Sequence, residues 1–80
     1  MNPQEKLLEL IDKFLTRQDA SMRMIGEIEA LLIKDFLETD VFESLAEAVS
    51  LYRPGAGMPY LDVNEMAEEL LAVRATLEPQ

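Results

Sequence analysis

The sequence predicts an all-α fold, a compact antiparallel four-helix bundle, on three observations. Apolar residues recur at spacings of three and four through four segments, the period of a helix with one buried face. No segment alternates apolar and polar residues with the two-residue period of a half-buried strand. The third observation is a single long stretch of helix-breaking residues, 53–60, which holds two prolines and two glycines and separates the last two helical segments. At 80 residues, against the roughly 150 taken as a one-domain length, residues 1–80 are expected to form a single helical domain.

The first helix opens with start chemistry that satisfies orphan amides: Asn2 as N-cap, Pro3 at the first helical position and Glu5 three residues after the cap. Its inward stripe reads Leu7, Leu8, Ile11, Phe14 and Leu15. Glu9 and Lys13 are spaced for an i,i+4 pair worth about 0.2–0.5 kcal/mol. Residues 16–19 form the connection, with Asp19 expected to cap a second helix over 20–36. That helix presents Met24, Ile25, Ile28, Leu31, Leu32 and Phe36 to the core. Gly26 in its interior costs about 1 kcal/mol relative to alanine; the expected reason is close approach of a neighbouring helix, simple tolerance being the alternative. Met22 and Ile33 lie off the main stripe and are expected to widen the core face, a homodimer contact being the alternative.

The third helix is expected to begin at Asp40, which with Glu43 matches capping-box spacing, and to turn Val41, Phe42, Leu45, Ala48, Val49 and Tyr52 inward. Asp40, Glu43 and Glu47 then share a stripe on the other side, uninterrupted by a base. The fourth helix repeats the design. Asp62 caps, Glu65 closes the box, Leu61 staples against Met66, and Val63, Met66, Ala67, Leu70, Val73 and Leu77 face inward. Asp62, Glu65 and Glu69 line its outer side.

The chain contains no cysteine, histidine or tryptophan. That removes disulfides, thiolate and imidazole metal sites, and Ser/His or Cys/His nucleophilic pairs. Paired carboxylates serve glycoside hydrolysis or divalent metal binding only in a concave site, for which so short a helical domain has little volume. The di-metal bundle pattern needs histidine, and no segment has EF-hand spacing. The glycines of 53–60 lack the lysine and hydroxyl of a phosphate loop. We therefore expect no enzyme activity, no cofactor and no metal. The first residues do not read as a secretory signal and no apolar run approaches the roughly 20 residues of a membrane span; the expectation is a cytoplasmic protein.

The net charge is −9, with hydrophobic residues at 49% and charged residues at 29%, a balance suited to a folded chain. Its distribution is uneven. Residues 1–34 set six acids against five bases, whereas residues 35–73 set nine acids against the single base Arg53. Such a field repels phosphate backbones, so direct nucleic-acid binding is not expected, and it steers a basic partner inward. Asp40, Glu43, Asp62 and Glu65 are also explained by the helix dipole, at about 0.3–1 kcal/mol each. Glu47, Glu68 and Glu69 lie at or beyond the edge of the first turn, and folding explains them least. The plain alternative is that acidity only keeps a small domain soluble.

Val41 to Leu77 carries a Phe-bearing helix, the exit Leu51-Tyr52-Arg53-Pro54, and Tyr60-Leu61-Asp62 opening the Glu-rich run Asn64-Glu65-Met66-Ala67-Glu68-Glu69-Leu70-Leu71. This stretch resembles the colicin D type of bacterial immunity protein. The resemblance implies a small four-helix protein that binds the basic nuclease domain of a bacterial toxin, a tRNA-cleaving one in the namesake case, and blocks its active site. Family members usually carry acids in the loop after the proline. Here that loop is Gly55-Ala56-Gly57-Met58, which shifts the implied contact onto the last two helices. The partner-binding residues expected are Glu43, Glu47, Asp62, Glu65, Glu68 and Glu69, with Tyr52 and Tyr60 as aromatic anchors, on a chain expected to be monomeric. The rival expectation is a non-enzymatic interaction or regulatory module, homodimeric through Met22, Ile33 and Met58.

Overall fold

The computed structural model describes residues 2–77. Among them are four helices, α1 (Pro3–Leu15), α2 (Met22–Asp35), α3 (Asp40–Leu51) and α4 (Val63–Leu77), and no strand. Each helix packs against its neighbours in sequence, α4 closes the ring against α1, and the backbones of the diagonal pairs do not approach each other closely. Short connections make successive helices antiparallel, and Gln4 Nε2 donating to the Leu77 carbonyl joins the first turn of α1 to the end of α4. The expected antiparallel four-helix bundle is the fold observed.

Local capping sets where each helix begins. Asn2 accepts from the Glu5 N–H at 2.8 Å with Pro3 at the first helical position, as its sequence predicts. The start of α2 differs from expectation. Ser21, not Asp19, is the N-cap, accepting from the Met24 N–H at 3.1 Å. Asp19 sits behind the cap and its carboxylate accepts from the Ser21 N–H (3.1 Å) and hydroxyl (2.7 Å). Those two bonds hold the Asp19 carboxyl below its ordinary pKa. The α3 cap also moves by one residue: Thr39 accepts from the Phe42 N–H at 3.3 Å, so Asp40 occupies the first turn and the Asp40–Glu43 box does not form. At α4 the reciprocal box is present, Glu65 N–H donating to Asp62 (2.9 Å) and Asp62 N–H to Glu65 (3.1 Å).

One apolar cluster draws on all four helices. Leu7, Leu10, Ile11 and Phe14 come from α1, Met24, Ile25, Ile28 and Leu32 from α2, Leu45, Ala48 and Val49 from α3, and Met66, Leu70, Val73 and Leu77 from α4. Leu10 is absent from the expected stripe, yet it stands three residues after Leu7 and four before Phe14, on the same face. Leu8 and Leu15 take the edge instead and are half-buried. Leu61 packs beside the cluster that contains Met66, in keeping with the staple.

Tyr52 completes the core. It is 2% exposed, its hydroxyl donates to the Ala20 carbonyl at 2.6 Å, and its ring meets Phe14 edge to face with centroids 5.4 Å apart. Burial pushes its phenol pKa upward.

Two expectations for α2 are overturned. Gly26 is exposed and a Cβ built there meets nothing within 4 Å, so no helix of this chain approaches it. Met22 and Ile33 are 55% and 53% exposed and do not widen the core face. The cause is the same: α2 packs closely only against α1 and α3, and the side bearing these residues points away from both. Among the described residues no helix is long and apolar enough to cross a membrane.

Candidate partner-binding surface

The α3–α4 side of the bundle is built from two antiparallel helices whose outer halves are acidic. Glu47 and Glu69 line one shallow cleft of about 220 Å³ between them, floored by Ala48, Leu51 and Leu61. The depression continues along the same helix pair, where Glu69 is joined by Asp40, Ser44 and Thr76. Glu69 therefore belongs to both parts. This second part holds about 490 Å³, within the roughly 300–1,000 Å³ of a small-molecule pocket, and the two parts together form a channel along the helix pair with room for side chains of a partner.

The other expected residues flank that channel. Glu65 and Asp62 cap α4 and line a separate depression with Gly55, Gly57, Met58 and Tyr60 of the loop. Glu43 and Glu68 are exposed on the outward sides of α3 and α4, placed there by their spacing from the buried Leu45 and Leu70. The six carboxylates therefore fall into three sets: Glu47 and Glu69 across one channel, Asp62 and Glu65 at the loop, and Glu43 and Glu68 exposed on the outward sides of their helices. Asp40 joins the channel by virtue of helix apposition, which no local signal in its own segment shows.

Four of the bases are engaged elsewhere. Lys6 and Lys13 approach Glu9 at 3.6 and 3.8 Å, the second being the expected i,i+4 pair. Arg74 Nε lies 2.6 Å from Asp12, a charge-assisted hydrogen bond that raises the Arg74 pKa. Arg17 turns back on the end of α1, donating to the Phe14 and Leu15 carbonyls, and reaches Asn64 at 3.1 Å. Among the described residues no ion pair involves Glu43, Glu47, Asp62, Glu65, Glu68 or Glu69. Nor do three acidic side chains converge closely enough there to hold a metal ion.

The loop between α3 and α4 is pinned at its base. Leu61 N–H donates to the Leu51 carbonyl (2.8 Å) and Arg53 N–H to the Leu61 carbonyl (3.0 Å), so the chain leaves and returns at one point. Gly55 and Gly57 have φ of 84° and 79°, conformations that favour glycine in the two turns between. The turns lift Met58 to 96% exposure. Tyr60 is 37% exposed with the Arg53 guanidinium 5.2 Å from its ring centre. Tyr60 thus stands partly exposed at the loop. Tyr52 does not: its ring is core and its hydroxyl is bonded within the chain, so it is removed from the contact surface. Met58 takes its place as the most prominent apolar group beside the acidic surface.

No family model matches this chain, and neither a curated protein nor a solved structure does.

Proposed function

We propose that this protein is an immunity protein of the colicin D type, which binds the basic nuclease domain of a bacterial toxin through its α3–α4 side and excludes the RNA substrate. The observation that carries the reading is the set of exposed carboxylates, Glu43, Glu47, Glu68 and Glu69 foremost, that no base of the described chain neutralises. Asp62 and Glu65 are already engaged in capping, and they add charge at the loop end of the helix pair. Carboxylates held on rigid helices imitate a row of phosphates and occupy the cationic groove that would take RNA. Opposite charge accelerates encounter, while Tyr60 and Met58, apolar and raised beside the acids, supply the desolvated contacts that slow release. Blocking requires no chemistry by this chain.

The reading expects a basic nuclease domain to be encoded beside this gene, and the test is association with that domain, followed from about 0.02 to about 0.5 M salt, a range across which the screening length falls severalfold. The association rate is expected to drop by at least about tenfold. A rate indifferent to salt sinks the reading. The variant Glu47→Lys, Glu68→Lys, Glu69→Lys is expected to abolish protection of a toxin-producing cell while its melting temperature is retained.

A further inference from the structure

The outward side of α2 carries an apolar row that the bundle leaves uncovered. Met22, Gly26, Ala30 and Ile33 follow at helical spacing on one face, and Leu37 continues the row just past the C-cap. All are exposed, and Leu37 matches the others at 55%. Single exposed apolar residues are ordinary, but a continuous row along one helix marks a contact. In its middle, the place above Gly26 is open space. Arg23, Glu27 and Lys34 border the row on one side, and among the described residues none of them forms an ion pair.

We propose that a second copy of this chain docks on this row, α2 antiparallel against α2. Self-complementarity selects that occupant. A two-fold axis crossing α2 between Glu29 and Ala30 sets Met22 against Leu37 of the second copy. It also drops Ile33 of each copy into the open space above Gly26 of the other. The same axis brings Glu27 level with Lys34 of the second copy to within about 3 Å, two residues of helical rise, and does so twice, so the border charges meet their opposites. Residues 22–38, which carry the row, hold Glu27, Glu29, Asp35 and Glu38 against Arg23 and Lys34, so most of the chain's excess of −9 is turned away from the contact. Glu29 opposes the association, because it lies near the axis on the other border and meets its own counterpart.

A single helix pair about 20 Å long falls at the small end of specific interfaces, under about 1,200 Å². Together with the Glu29 contact this sets the dissociation constant at roughly 10–100 µM. Because α2 stands diagonal to α4, the dimer leaves the α3–α4 channel open, and it stands or falls independently of the immunity reading.

The experiment is sedimentation equilibrium of the full chain from about 5 to about 500 µM, spanning that range. A monomer–dimer equilibrium is expected. Ile33→Glu should weaken it by at least about thirtyfold, as a charge buried against Gly26 has no partner, with the thermal melt of the dilute protein unchanged. Glu27→Lys alone should weaken it by about tenfold, and adding Lys34→Glu should restore it, since the swapped charges pair again. Glu29→Gln should tighten it. A chain monomeric at every concentration, a dimer indifferent to Ile33→Glu, or a charge swap that fails to restore association overturns the proposal.

Discussion

The α1–α2 half and the α3–α4 half treat charge differently. In the first, Lys6 and Lys13 serve Glu9, Asp12 holds Arg74, Asp19 orients the Ser21 cap and Arg17 covers the end of α1. In the second, Asp62 and Glu65 cap α4, and Glu43, Glu47, Glu68 and Glu69 do nothing for the fold that any ion pair records among the described residues. What this teaches is where to look for a partner. A net charge of −9 is compatible with mere solubility, but Glu43, Glu47, Glu68 and Glu69 stand on helices whose bases, among the described residues, do not pair with them, and it is on them that the proposed basic partner rests.

That contrast requires the two halves to share one core, and Tyr52 is the residue that breaks it most severely. Tyr52→Ala removes a ring that packs on Phe14 of α1 together with the hydroxyl bonded to Ala20. The loss should be about 3–5 kcal/mol, a large share of the roughly 5–15 kcal/mol that holds a small domain folded. Urea unfolding followed by circular dichroism should show both halves weakening in a single transition; two separate transitions would mean that they fold apart. Tyr52→Phe keeps the ring and loses only the bond to the Ala20 carbonyl, about 1 kcal/mol. It carries a pH signature as well. Burial raises the folded-state pKa above the ordinary value of 10.0, so the stability gained by keeping the phenol neutral is complete below that value. It drains as pH rises through the folded-state pKa. Unfolding at pH 9 and pH 11 should show the wild type losing this contribution and Tyr52→Phe lacking it.

Tyr52 also marks what could be read from sequence. Its inward position follows from helical spacing with Leu45, Ala48 and Val49, whereas its exclusion from the partner surface depends on a carbonyl 32 residues away, which nothing local announces. The α4 start was legible because both members of the Asp62–Glu65 box stand within one turn. The starts of α2 and α3 were displaced because adjacent hydroxyl and carboxylate residues compete for one capping role, and Ser21 and Thr39 hold it. For the candidate surface, exposure of the six acids was legible from the pattern. Glu47 facing Glu69 across a channel, and Asp40 joining them, arise only when α3 and α4 are laid side by side.

Two smaller changes sharpen the picture of the N-terminal half. Gly26→Ala should stabilise the monomer by about 1 kcal/mol, the ordinary gain for an exposed mid-helix glycine, because a methyl group there meets nothing. A loss instead, in thermal melts of dilute protein, would mean that the position is packed within the chain. Asp12→Asn should destabilise by only about 0.5 kcal/mol, since the two side chains of the pair are 47% and 30% exposed. That difference should shrink in high salt.

The smallest effect on stability belongs to the acidic side, and there the contrast is most exposed to failure. Glu69 shares a channel with Glu47 and, at its other end, with Asp40, so these three negative charges repel one another with no base among them. Glu69→Lys replaces that repulsion by attraction, and the change in unfolding free energy should lie between zero and a gain of about 0.5 kcal/mol. Added salt should stabilise the wild type by relieving the same repulsion and should have less effect on the variant. A partner that reads the channel as a line of phosphates would respond far more strongly to this one substitution than the fold does. A loss above about 1 kcal/mol, outside the range for an exposed surface change, would give Glu69 a structural duty and remove the distinction between the halves at its central residue.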